Sequence, residues 1–387
     1  MTGIQQGFLL IADITGYTQY LSKSELEHAQ GILTALLELL IDRTRPPLVI
    51  SRLAGDAVIS YALQNNFMQG QTFVEMIEDT YVAFRKAIER MVLNNACRCN
   101  ACVNVSSLDL KFIVHYGSFG IQQLSAHPEL VGSEVNLIHR LLKNQVTEKT
   151  GARAYALYTD AAIRQLAIGD ISATFMPHTE HYEHLGAVET WVEDMHPVWE
   201  AKKDQSRLHF PPEHIILQVE AEIHLPPEAV WGYLSQPEHF NVLAGGTRLE
   251  ITQRSSGRIS VGSVYQCYHG DKVFPQTILE WLPFDRILVQ GLAPIPVKNT
   301  FLLIEYRIEP TPQGTRLIQA FGKPSGPLFG RVMATLLFKS MAKIAQRDMD
   351  NFKKHLEEDW TWQGAVSESP AITSEMVAAT VADSLQA

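Results

Sequence analysis

The sequence predicts a two-domain protein of the α+β class, and three observations carry that reading. In the first half, apolar runs of strand length alternate with stretches whose apolar residues recur at helical spacing. In the second half, period-two alternation recurs in run after run and gives way to one long amphipathic stretch. Between the halves, His196-Pro197-Val198-Trp199 leads through the charged Glu200-Ala201-Lys202-Lys203-Asp204-Gln205 to Phe210-Pro211-Pro212, a change of character that marks a boundary.

At 387 residues with 46% hydrophobic content, the chain is long enough for two separate cores. The expected division is a first domain over 1–195, a linker over 196–212, a second domain over 213–358 and a tail over 359–387. From Thr361 onward Ala, Ser, Thr and Glu dominate, the composition of a disordered segment.

Taken in order, residues 7–12 make a buried strand ending at Asp13. Ser24 and Glu27 have the spacing of a capping box, opening a helix with Ile32, Leu33, Leu36, Leu37, Leu40 and Ile41 on its apolar face. Strands near 47–52 and 57–62 follow, then an amphipathic helix from about 71 to 92. After a cysteine-rich turn come strands over 108–115 and 119–123, separated at Tyr116-Gly117-Ser118. In the second half, 214–223 alternates as a strand, and the prolines of Leu225-Pro226-Pro227-Glu228-Ala229-Val230-Trp231 start a short helix. Strands are expected near 247–254, 263–269, 274–282, 285–291, 299–309 and 314–321. A helix over 328–356 closes the domain, with Val332, Leu336, Leu337, Met341, Ile344, Met349 and Phe352 inward.

A net charge of −10 and the lack of a basic stripe argue against nucleic acid as a partner. The longest apolar stretches, 32–41 and 301–304, are too short to span a bilayer, and the amino terminus lacks a basic region and cleavage site. The expectation is a cytoplasmic protein without integral membrane association.

Asp13 and Asp56 stand where a strand meets a turn, in Phe8-Leu9-Leu10-Ile11-Ala12-Asp13 and Arg52-Leu53-Ala54-Gly55-Asp56-Ala57-Val58. One such Asp is ordinarily a turn former or helix cap. Two that converge supply the hard oxygen ligands that hold Mg²⁺ against a nucleoside triphosphate. Ile14-Thr15-Gly16-Tyr17-Thr18 then opens onto a helix, so backbone N–H groups would face a phosphate beside the metal. Separately, Cys97, Cys99 and Cys102 crowd into six residues, a second metal or redox site for Zn²⁺ or an iron–sulfur centre if the fold supplies a fourth ligand. The competing reading is reduced thiols in a tight turn.

With these elements placed, residues 7–193 resemble the catalytic domain of class III nucleotidyl cyclases. Ile11-Ala12-Asp13-Ile14-Thr15-Gly16-Tyr17-Thr18 and Gly55-Asp56-Ala57 are similar to that family's two metal-aspartate segments. His115-Tyr116-Gly117 resembles the strand-turn before its dimer-facing hairpin, and Val131-Gly132-Ser133-Glu134-Val135-Asn136-Leu137-Ile138-His139-Arg140 its transition-state helix. The resemblance implies a ferredoxin-like α/β sandwich and two Mg²⁺ or Mn²⁺ ions held by Asp13, Ile14 and Asp56. It implies nucleotide contacts from Thr15, Gly16 and Tyr17, a ribose oriented by Asn136, and transition-state charge neutralised by Arg140. It also implies a head-to-tail homodimer with composite sites.

Two departures stand out. The base-reading positions are Arg52 and Glu129 instead of Lys and Asp, which leaves the base open with adenine as default. Glu183-His184-Leu185-Gly186-Ala187-Val188-Glu189 keeps a turn that reaches the phosphates in relatives, without its lysine.

In the second half, Leu225-Pro226-Pro227-Glu228-Ala229-Val230-Trp231-Gly232-Tyr233-Leu234 followed by Pro237-Glu238 resembles the opening of the START-like helix-grip superfamily, also called SRPBCC or polyketide-cyclase-like. That resemblance implies an antiparallel sheet wrapped on a long carboxy-terminal helix, with a cavity for an apolar small molecule or lipid. The expected function is a nucleotidyl cyclase converting a nucleoside triphosphate to a 3′,5′-cyclic nucleotide and pyrophosphate, with a ligand-sensing second domain. The alternative is a catalytically degenerate cyclase-fold scaffold or nucleotide sensor coupled to a hydrophobic-ligand-binding domain.

Overall fold

Leu9, Leu10 and Ile11 point to alternate faces of one strand and are all buried, which places that strand, β1 (Ile4–Thr15), inside a sheet covered on both sides. The computed structural model describes residues 4–360 apart from 46, 64–69, 94–96, 98, 125–126, 184, 204–209 and 255–256. The expected tail from 361 on, His184 and the middle of the expected linker lie outside the described residues.

After β1 come α1 (Tyr17–Ser22), α2 (Leu26–Thr44), β2 (Val49–Ala54), β3 (Ala57–Leu63), α3 (Gln71–Leu93), α4 (Asn100–Asn104), β4 (Asp109–Leu124), β5 (His127–Val131) and α5 (Ser133–Leu141). The first unit then continues through α6 (Val146–Thr150), β6 (Tyr155–Thr159), α7 (Asp160–Leu166), α8 (Gly169–Ser172), β7 (Met176–Tyr182), β8 (Gly186–Asp194) and α9 (Met195–Lys202). Its strands form an eight-stranded sheet in the order β2-β3-β1-β4-β6-β8-β7, with β5 added to β4. On one face Leu9, Ile11, Ile59 and Ile113 pack with Val135, Ile138 and Leu141 of α5. On the other, the Phe8 ring lies 5.4 Å from Phe73 of α3. Full burial of each such side chain contributes about 1.5–3 kcal/mol.

Three expectations are corrected here. The capping box does not form: Ser24 Oγ donates to the Tyr20 carbonyl at 2.7 Å, and Glu25 is the residue at the start of α2. The strand expected to break at Tyr116-Gly117-Ser118 runs unbroken as β4. A Cβ on Gly117 would meet Glu134 Cγ at 2.7 Å, so this glycine admits the close approach of α5 instead of making a turn. Residues 196–202 of the expected linker are helix α9, whose Asp194 cap accepts from the His196 N–H and whose Trp199 is buried.

Two compact units result, the first ending with α9 and the second beginning, among the described residues, at Phe210. The second comprises β9 (Ile215–Ile223), α10 (Pro227–Leu234), α11 (Pro237–Ala244), β10 (Arg248–Gln253), β11 (Val264–His269) and β12 (Lys272–Leu282). It continues with β13 (Arg286–Leu292), β14 (Phe301–Thr311), β15 (Gly314–Gly322), α12 (Leu328–Ser340) and α13 (Ala342–Asp359). Its seven strands pair antiparallel in the order β10-β11-β12-β13-β14-β15-β9. The long closing helix expected over 328–356 is two helices meeting at Met341. Val332, Leu336 and Ile344 are exposed, against expectation, while Met349 and Phe352 are buried with Leu356. Both units together give the α+β architecture that the sequence predicts.

Candidate nucleotide site and apolar cavity

β1 carries Asp13 to one end of the first sheet. There it faces Ala57 of β3 on one side and Lys111 of β4 on the other. The Ile14 N–H donates to the Asp56 carbonyl at 3.2 Å, which ties the Gly55-Asp56 turn to the end of β1. Gly55 has a φ of +65°, a left-handed conformation that glycine adopts without strain. The two carboxylates share one small neighbourhood, and its electrostatics follow. The carboxyl of Asp56 is pushed up to about 7, by burial first and the charge of Asp13 second, with Lys111 pulling the other way.

Lys111 is a residue that sequence reasoning passed over. Its Nζ lies 3.1 Å from Asp13 Oδ2 and donates to the Leu142 carbonyl at 3.2 Å, just beyond α5. The only hint in the sequence is a charged residue inside the apolar strand Leu110-Lys111-Phe112.

The turn after Asp13 contributes in unequal ways. The side chain of Ile14 is buried, so only its carbonyl is available as a ligand. Thr15 Oγ1 is buried without a hydrogen-bond partner, which leaves a polar group for an incoming ligand. Gly16 has a φ of +87° and opens α1. The ring of Tyr17 is buried, and α1 has six residues, so what this turn offers is backbone N–H groups instead of a long helix dipole.

A second cluster lies on the same sheet. Arg52 of β2 and Glu129 of β5, 77 residues apart in sequence, meet with Nη1 3.2 Å from Oε2. Arg52 Nη2 is also 3.4 Å from His139 Nε2 of α5. Burial, then the Arg52 charge, lowers the pKa of His139. Because this pair is substantially exposed, it adds little to stability, and its donors and acceptors are easily turned toward a ligand.

Asn136 and Arg140 stand one turn apart on the exposed side of α5, opposite the buried Val135, Ile138 and Leu141. Among the described residues neither makes a hydrogen bond or ion pair with Asp13 or Asp56. The helix itself is pinned at its first turn, where His115 Nε2 lies 2.7 Å from Glu134 Oε2 and His115 Nδ1 2.9 Å from Thr159 Oγ1. Cys97, Cys99 and Cys102 gather around His28 of α2.

In the second unit a cavity of about 370 Å³ opens between the sheet and the two closing helices. Leu217, Leu302, Ile304, Phe321, Phe338 and Met341 make it apolar. Gln276, His269 and Asp348 add polar groups to its wall, and the buried Gln276 Oε1 has no hydrogen-bond partner. A cavity of this size with a few polar groups suits a small organic ligand.

Residues 33–150 match the model of a family described as protein of unknown function (DUF2652). Residues 214–357 match that of polyketide cyclase / dehydrase and lipid transport. The second match gives the carboxyl-terminal part a domain of the polyketide cyclase/dehydrase type, in agreement with its SRPBCC resemblance. The uncharacterized protein Rv2561/Rv2562 of Mycobacterium tuberculosis is 27% identical over 163 residues, 42% of this chain and 73% of that protein.

Among solved structures, the guanylyl cyclase Cya2 is 14% identical, with 49% of this chain and 92% of that one covered at a TM-score of 0.39. The adenylyl cyclase CyaB from P. aeruginosa is 16% identical, with 50% and 96% covered at 0.38. Protein MLL2253 from Mesorhizobium loti is 20% identical, with 37% and 94% covered at 0.28. Similarity at that level assigns neither residue roles nor activity.

Proposed function

We propose that the first unit is a nucleotidyl cyclase, converting a nucleoside triphosphate, ATP by default, to a 3′,5′-cyclic nucleotide and pyrophosphate. The observation that carries this reading is a double convergence on one sheet. Asp13 and Asp56 come together at a glycine-bearing turn, and Arg52 and Glu129 come together across β2 and β5. Two carboxylates and the Ile14 carbonyl are the hard oxygen donors that suit Mg²⁺ or Mn²⁺. Divalent ions bound there would acidify the ribose 3′-hydroxyl and neutralise the triphosphate.

The chain's own groups account for the rest. Thr15 and the backbone N–H groups after it face the phosphates, while Arg52 donates to the base and Glu129 accepts from it. The 3′-hydroxyl gives up its proton to solvent water, and its oxygen forms the bond to the α-phosphorus as the bond from that phosphorus to the bridging oxygen breaks and pyrophosphate leaves. Arg140 stabilises the charge that develops on the phosphate, and Asn136 orients the ribose. Both are exposed and, among the described residues, pair with neither carboxylate of their own chain, so the reading places them against a second copy in a head-to-tail homodimer. The cavity of the second unit holds an apolar small molecule or lipid.

A second reading rests on Lys111. Its ammonium already answers the charge of Asp13, as expected of a cyclase fold that has become a nucleotide sensor or scaffold. One experiment separates the two. The purified full chain is incubated with ATP, GTP, CTP or UTP and Mn²⁺ or Mg²⁺, and cyclic product is sought by mass spectrometry with Asp56→Ala alongside. Product that disappears in the variant supports the enzyme and names the base. A confirmed dimer that binds nucleotide without forming product supports the sensor.

A further inference from the structure

His28, in the first turns of α2, lies far in sequence from the cysteines but not in space. Its Nδ1 is 3.2 Å from Cys99 Sγ, 3.5 Å from Cys102 Sγ and 3.6 Å from Cys97 Sγ. The four ligand atoms all lie within 4.8 Å of one another. We propose that Cys97, Cys99, Cys102 and His28 form a structural zinc site that staples the start of α2 to the segment between α3 and β4.

Hydrogen bonding does not account for this arrangement. An imidazole Nδ1 carries either one hydrogen or one lone pair, and three sulfurs surround it. A tetrahedral ion does account for it. With Zn–S near 2.3 Å and Zn–N near 2.0–2.1 Å, nitrogen and sulfur fall about 3.6 Å apart at the tetrahedral angle. Three soft sulfur ligands with one imidazole select zinc over the oxygen-seeking Mg²⁺ and Ca²⁺. Convergence this tight leaves room for one ion, whereas a cluster of two or more irons would hold opposite ligands farther apart. Four protein ligands also close the coordination sphere, which makes the site structural and not catalytic.

The surroundings are built to hold the ligands in place. The Cys99 N–H points to Cys97 Sγ at 3.5 Å. Glu25, just before α2, accepts from the Ala101 N–H at 3.0 Å and from Asn100 Nδ2 at 3.2 Å. Tyr20 of α1 donates to the Ala101 carbonyl at 3.0 Å. These are the outer contacts expected where a metal loop is fixed against its neighbours. They also reach the carboxylate turn, because α1 begins directly after Gly16, and a Cβ on Gly16 would lie 3.2 Å from the Ser107 carbonyl. The staple stands on its own geometry whatever reaction the first unit performs.

The test measures metal directly. The untagged full chain, purified without chelator from zinc-supplemented medium, is analysed by inductively coupled plasma mass spectrometry beside His28→Ala, Cys102→Ser and Cys267→Ser. The expected result is one zinc per chain in the parent and in Cys267→Ser, and loss of the ion in the other two. Since either ligand variant can fail to fold, the parent is also reconstituted with Co²⁺, and it should show the strong visible bands and thiolate charge transfer of a tetrahedral sulfur site. A reduced parent chain that takes up neither zinc nor cobalt overturns the proposal. So does iron with acid-labile sulfide in place of zinc, or full zinc retention in a folded Cys102→Ser.

Discussion

At Lys111 the protein has placed its own cation against a carboxylate that is also a candidate metal ligand. Any divalent ion at Asp13 must displace or share with that ammonium, so Lys111→Met is expected to tighten Mn²⁺ binding by about tenfold, a difference of roughly 1.4 kcal/mol. Isothermal titration would show it, and unchanged or weaker affinity would remove Lys111 as a competitor. Asp56 makes a separate statement about pH. Its carboxyl, ordinarily near 3.8, is raised to about 7 in the folded chain, so folding takes up a proton between those values. The stabilising contribution of the protonated form is complete below 3.8 and is lost as pH rises through about 7. Asp56→Asn removes the ionisation, and its melting temperature relative to the parent should rise across that window and level off above it. A difference that does not change with pH would mean that burial and Asp13 do not act on this group as described. The Asp13 and Asp56 positions were legible in the sequence because each stands where a strand meets a small turn. Lys111 was not, because its role depends on which strand pairs beside β1.

Among the elements, α5 is the one whose position decides most. It carries Asn136, His139 and Arg140, and it reaches its place only because Gly117 lets Glu134 close on His115. Gly117→Ala should destabilise the first unit by about 1–3 kcal/mol through overpacking. Urea unfolding would measure this, and a change below about 0.5 kcal/mol, the usual scale of a neutral surface substitution, would show that α5 yields easily. Here the sequence misled for a physical reason. Glycine between two apolar runs reads as a turn, and the partner that requires it lies on another element. The same holds for α12 and α13: periodicity finds the apolar residues 328–356, but nothing local in Ser340-Met341 announces a break, and no pattern says which of two stripes meets the sheet. The strand β1, apolar on both faces, and the helices α2 and α3, each with one consistently apolar face, were legible because burial of those faces is what forms them.

For the whole molecule, the exposed Asn136 and Arg140 and the half-buried Asp13 and Asp56 make a statement about copies. If each site combines the carboxylates of one chain with α5 of another, Asp56→Ala and Arg140→Ala are each inactive alone, and mixed dimers of the two recover one intact site. Cyclase activity that returns on co-refolding is the expected outcome, and mixtures that stay inactive despite verified mixed dimers would place each site within a single chain. The contact between His28 and Cys99 has a different reach, since it joins positions 71 residues apart. A metal there is a reversible crosslink, and it acts on the unfolded chain as well as on the folded one. Closing a loop of that length removes chain entropy worth about 4 kcal/mol by the same reckoning used for disulfides, a large share of the roughly 5–15 kcal/mol that holds an ordinary domain together. Hydrogen exchange in α2 and α4 should therefore quicken when chelator strips the ion, and stay unchanged if the four side chains hold nothing. Zinc supply in the cell would then set how long the first unit persists as a folded body, a dependence exerted through polymer statistics instead of through any contact with substrate.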